Sequence, residues 1–236
     1  PVNLTQGNKP VEPGVLTAGD FKVTEDGVQH AATFFERDSR PISLCVVFDT
    51  SGSMGEGLTP RFAVAALRQV LTRLLAEDEV AVIAFAAESV VVTPWTPAPT
   101  LLGLPINLET RGSTSLNDAV LKAMDVIDDA RHARPVVLVI TDGFENSSRT
   151  SLSRAVTTRR QSEALIYTFN LGKAAVTQRA PIAGPDIVAQ SPKEPSSRMP
   201  MAVPSAAVDV LPTLAGESGG VVYEVRDFMD AAALAR

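Results

Sequence analysis

The chain has 236 residues, 45% of them hydrophobic, which is enough apolar material to bury a sizeable core. A formal net charge of −6 and the lack of any basic block argue against a nucleic-acid partner, since no stretch is built to neutralise phosphates. No uninterrupted apolar run approaches the length of a membrane span, and no signal peptide is visible, although the abrupt opening at Pro1-Val2-Asn3-Leu4 fits a trimmed fragment.

Residues 1–40 read as a short N-terminal β appendage. Residues 21–24 alternate, Glu25-Asp26-Gly27 is a turn signal, and residues 28–36 can form the returning strand. Such a hairpin is too small to carry its own core. Residues 41–236 alternate strand and helix and are assigned to one domain. The run 42–48 is a buried strand, and its Cys45, the single cysteine, reads as a small buried hydrophobe. Residues 61–76 place Phe62, Ala65, Ala66, Val70, Leu71, Leu74 and Leu75 on one helical face. Residues 79–87 and 89–93 are strands, the second an antiparallel edge closed by Pro94, while Pro105 argues against a continuous helix over 101–108.

A helix from Ser115 carries Leu116, Ala119, Val120, Ala123, Met124 and Ile127 on its apolar side. Then come a strand at 136–141, a helix near 151–162, strands at 164–171 and 221–225, and a last helix over 227–235 capped by Asp227. Strands separated by helices predict an α/β fold: a doubly wound, mostly parallel central sheet with helices on both faces, Rossmann-like in layout. Right-handed crossovers would put the loops after Phe48 and Thr141 on one edge. Residues 172–206 break the rhythm with prolines at 181, 185, 192, 195, 200 and 204, and read as a Pro-rich loop leaving that same edge. Disorder and a partner-specific role are both open for it.

The chemistry concentrates in Asp49-Thr50-Ser51-Gly52-Ser53, which follows the first buried strand. A carboxylate with two hydroxyls at alternate positions offers hard oxygen donors, suited to Mg²⁺ or Mn²⁺ rather than zinc. The same run also fits an ordinary turn, in which Asp and Ser bond their own backbone. Two later segments weigh against that reading: Gly112-Ser113-Thr114-Ser115 opens a helix, and the strand at 136–141 ends in Asp142-Gly143. Together Asp49, Ser51, Ser53, Thr114 and Asp142 supply two carboxylates and three hydroxyls that could converge on one cation. Gly52 and Gly143 would permit tight turns beside it.

Asp-x-Ser-x-Ser, then a distant Thr, then a distant Asp, resembles the metal-ion-dependent adhesion site (MIDAS) of the von Willebrand factor type A domain. The segment Asp20 to Gly27 ahead of it is similar to the bacterial branch of that family. The resemblance implies a non-catalytic, divalent-metal-dependent protein-binding module. In it Ser51, Ser53 and, once a ligand is bound, Thr114 touch the metal, and Asp49 and Asp142 act through water. It implies Mg²⁺ or Mn²⁺, with Ca²⁺ as a further option, and a protein partner that offers an Asp or Glu carboxylate. It favours an extracellular or periplasmic setting. An alternative is a scaffold or assembly subunit, chelatase- or ATPase-associated, with a structural or vestigial metal site.

An enzyme reading is weaker. Ser51-Gly52-Ser53-Met54-Gly55 has the second glycine of a nucleophile elbow but Ser51 where the first belongs, and only His30 and His132 could act as a base. His132 reads as a surface residue near a helix end. Aspartyl phosphatases carry a second Asp where this chain has Ser51, so no catalytic residue is expected. Glu145 reads as a solvated loop charge or an outer contact of the metal site, and Asp118, Asp125, Asp128 and Asp129 as an exposed helix face.

Overall fold

The computed structural model describes residues 5–6, 9–10, 17–31, 40–55, 59–102, 109–160, 162, 164–172 and 210–225. The expectations for 32–36, 103–108, 173–206 and 227–235 lie outside the described residues.

A six-stranded sheet forms from β5 (Ser43–Asp49), β6 (Glu79–Phe85), β7 (Ser89–Pro97), β8 (Pro135–Thr141), β9 (Leu165–Asn170) and β10 (Val222–Glu224). Its order is β10-β9-β8-β5-β6-β7, parallel throughout except for β7 against β6. From β5 the chain moves outward to β6 and β7, then returns to the other side of β5 for β8, β9 and β10. The crevice between the carboxyl ends of β5 and β8 is therefore the topological switch point, where open α/β sheets bind ligands.

All seven residues of β5 are buried, because alternate side chains feed two cores. Leu44, Val46 and Phe48 pack in one core with Phe62, Ala63, Ala66 and Leu67 of α1 (Thr59–Leu71). Cys45 and Val47 face the other core, shared with α3 (Leu116–Ile127), α4 (Leu152–Arg160) and α5 (Val210–Gly216). The predicted doubly wound α/β sheet is thus observed. Phe62 is 2% exposed, and truncating it to Ala would cost about 3–5 kcal/mol through lost burial and a residual cavity.

Helix α1 ends at Leu71, short of the expected 76, and leaves Leu75 exposed; further differences from the sequence reading concern β7, α2 and α5. Strand β7 runs on through Pro94 to Pro97, because shifted register opposite Val80 and Val82 leaves Pro94 in a bulge where no ladder N–H is required. A short helix, α2 (Ala98–Leu101), follows it. Helix α5 was not expected; its Pro212 sits in the first turn, where a missing N–H costs little.

Near the N-terminus, β1 (Thr5–Gln6) pairs with β2 (Lys9–Pro10), and β3 (Val23–Glu25) with β4 (Val28–His30). Asp26 at φ 52° and Gly27 at φ 80° form the two-residue turn that Asp-Gly announces. Every residue of β3 and β4 is exposed.

Candidate metal centre

Asp49, the last residue of β5, is 0% exposed. Its Oδ1 accepts a hydrogen bond from the Ser51 N–H at 2.8 Å, the local bond typical of a turn-forming Asp. Its Oδ2 accepts from the Thr141 hydroxyl at 2.6 Å, so the ends of β5 and β8 are joined side chain to side chain. Ser51 is buried and Ser53 half-buried, with their hydroxyl oxygens 3.2 Å apart. Adjacent ligands of an octahedral ion at about 2.1 Å lie about 3.0 Å from each other, so this spacing fits two neighbouring coordination positions.

The first loop is pinned to its surroundings. Thr50 donates from both its N–H and its hydroxyl to the Phe85 carbonyl at the end of β6. Gly52 N–H donates to the Gly112 carbonyl at 3.0 Å, and Arg111 N–H to the Thr50 carbonyl at 2.8 Å, which brings in the loop that carries Thr114. Gly112, at φ 83°, makes that turn, a requirement the sequence reading did not single out. Gly52 has no such backbone demand, whereas Gly143, at φ 89°, does.

Thr114 is 2% exposed and Asp142 9%. Burial pushes the Asp49 carboxyl up to about 6; hydrogen bonds from Thr141 and Ser51 pull it down, and the nearby Asp142 charge pushes it up again. Among the described residues, no cation is among the groups acting on Asp49. A buried carboxylate held beside a second one, with hydroxyls at its rim, is an environment that a hard divalent ion would relieve. Among the described residues no group of three or more His, Cys, Asp and Glu side chains is gathered to hold an ion, so any cation here must rely on the hydroxyls as well.

Thr141 and Asn146 belong to the same surroundings and were not singled out from sequence. Nor is Glu145 the solvated charge it was taken to be: its carboxylate accepts from the N–H groups of Asn117, Ser147 and Ser148 and from the Ser148 hydroxyl. Asp118, read as part of an exposed helix face, accepts from the N–H groups of Arg149 and Thr150. His132 lies at the opposite end of the sheet, its ring against the Glu77 carbonyl and its N–H donating to Ser43. That is roughly 20 Å from Ser53, the length of a seven-residue strand, so His132 cannot serve Ser53 as a base. His30 is exposed on β4.

Sheet order and side-chain chemistry define an open α/β domain with an oxygen-lined crevice at its switch point. Residues 44–145 match the model of the von Willebrand factor type A domain. A search of curated proteins found no match. Among solved structures, the chain is similar to a von Willebrand factor type A protein from Catenulispora acidiphila, with 19% identity and TM-score 0.60, covering 83% of this chain and 41% of that one. It is similar to the conserved hypothetical protein BatB from Bacteroides thetaiotaomicron, with 15% identity and TM-score 0.58, covering 82% and 95%. It is also similar to proximal thread matrix protein 1 of the mussel byssus, solved with a zinc-occupied MIDAS motif, with 14% identity and TM-score 0.57, covering 83% and 44%. At these identities the likeness concerns the fold.

Proposed function

We propose that the chain is a non-catalytic protein-binding module, in which Asp49, Ser51, Ser53, Thr114 and Asp142 hold a divalent cation that recognises a carboxylate of a protein partner. The observation that carries this reading is the buried Asp49 carboxylate, raised to about 6, beside Asp142 and next to the Ser51 and Ser53 hydroxyls. The donors are hard oxygens, which suits Mg²⁺ or Mn²⁺ and also accommodates Ca²⁺. A bound cation supplies Lewis acidity toward an anionic oxygen.

The chain's own residues do the rest. Ser51 and Ser53 present adjacent hydroxyls, and Asp49 and Asp142 provide two negative charges, which leave a divalent ion able to attract a third. Thr141 orients Asp49 through its 2.6 Å bond. Residues 41–236 form the binding domain in this proposal, and residues 1–40, whose hairpin β3–β4 is exposed throughout, form a separate appendage. The partner side is tested with Mn²⁺-loaded protein and a short aspartate peptide, using its asparagine counterpart as control. The aspartate peptide alone should perturb the Mn²⁺ electron paramagnetic resonance spectrum. Equal or absent perturbation by both would overturn carboxylate recognition and favour a scaffold role.

A further inference from the structure

Thr114 is held from both sides of its own peptide unit by a segment more than thirty residues further along the chain. Its N–H donates to Asn146 Oδ1 at 2.8 Å, and its carbonyl accepts from the N–H groups of Asn146 at 3.0 Å and Ser147 at 3.1 Å. The Ser115 and Ser147 hydroxyls lie 2.8 Å apart, one residue further along each segment. Glu145 braces the arrangement from below. One carboxylate oxygen accepts from the Asn117 N–H in the first turn of α3, where a negative charge also suits the helix dipole, and the other from the N–H groups of Ser147 and Ser148. These bonds lie within the few residues after Asp142, and Gly143 at φ 89° aims the chain into them.

We infer that Asn146 is a positioning residue for the cation site, fixing Thr114 to the Asp142 loop so that these two groups keep one geometry. This rests on the metal reading above. Outer partners of this kind set metal affinity by orienting the groups that face the ion. Asn146 needs only an acceptor oxygen for the task, because the bond from Thr114 enters at Oδ1. The Ser51 and Ser53 loop joins this unit through main-chain bonds at Gly52 and Thr50 and through the side-chain bond from Thr141 to Asp49.

The test compares wild type, Asn146→Ala, Asn146→Asp and Asp118→Ala by Mn²⁺ calorimetry and by thermal denaturation of the metal-free proteins. Asp118 secures the Arg149 and Thr150 N–H groups on the same two segments, but makes no bond to Thr114. Asn146→Ala should weaken Mn²⁺ binding about tenfold or more, and Asn146→Asp, which keeps the acceptor, should recover it. Asp118→Ala should lower the melting temperature while leaving affinity within about twofold, since its carboxylate bonds the Arg149 and Thr150 N–H groups and not Thr114 or Asn146. If Asn146→Ala binds like wild type, or if affinity tracks melting temperature through all variants, the inference is overturned while the metal reading stands. If folded wild type does not bind Mn²⁺ at all, both are overturned.

Discussion

The two ends of the central sheet both bury carboxylates, yet they treat them differently. At the amino end, Glu79 is 3% exposed and accepts from the Ser43 hydroxyl and the Arg131 N–H, each at 2.6 Å, with the Arg131 side chain 3.8 Å away. Asp78, 4% exposed, accepts from the N–H groups of Ile42 and Leu75. At the carboxyl end, Asp49 receives two donors but also faces Asp142, and its carboxyl is raised to about 6. A buried acid is not by itself a site. Glu79 and Asp78 staple the strand starts together, whereas at the switch point one buried carboxylate faces another, and the proposed reading puts a cation at that pair.

The sharpest break of this contrast is a pair of substitutions, one at each end. Asp49→Asn should weaken Mn²⁺ binding about a hundredfold or more, read by calorimetry on folded protein. Glu79→Ala should leave Mn²⁺ affinity unchanged and lower stability by about 3 kcal/mol in urea denaturation, because it strands the Ser43 and Arg131 donors. If both lose metal equally, the two ends are not functionally distinct.

A smaller effect separates the ends by pH. The folded-state value of Asp49 lies above the ordinary 3.8, so the native metal-free protein holds this proton more tightly than the unfolded chain does. Metal-free stability should therefore rise as pH falls from about 6 toward about 4, by on the order of 2–3 kcal/mol. In Asp49→Asn that component should vanish, leaving the variant more stable than metal-free wild type at pH 7. An unchanged pH profile in Asp49→Asn would contradict the assignment. The smallest expected effect concerns the strand between the ends. Burial pushes the Cys45 thiol up to about 12, so thiol reagents should modify it only as fast as the protein opens.

Much of this was legible from local signals. The apolar run of β5, the 3.6-residue periodicity of α3 and the Asp-Gly turn of the hairpin each lie within a few residues of chain, and each is observed. Asp49, Ser51 and Ser53 could be grouped for the same reason. The passage of β7 through Pro94 was missed because proline was read as a stop, whereas a bulge tolerates it; helix α5 received no reading, although a first helical turn tolerates its Pro212. Thr141, Glu145 and Asn146 were invisible for a different reason: their partners Asp49, Asn117 and Thr114 are far away in sequence and meet them only through the sheet order. Glu145 has the composition of a solvated loop charge, and only its four donors reveal its structural work.

The most direct test of the central claim is a calorimetric titration of Mn²⁺ and Mg²⁺ into chelator-stripped wild type at pH 7, with Asp49→Asn beside it. Saturable binding by wild type, lost in the folded variant, is the predicted result. Absence of binding by folded wild type, or equal binding by the variant, would contradict it.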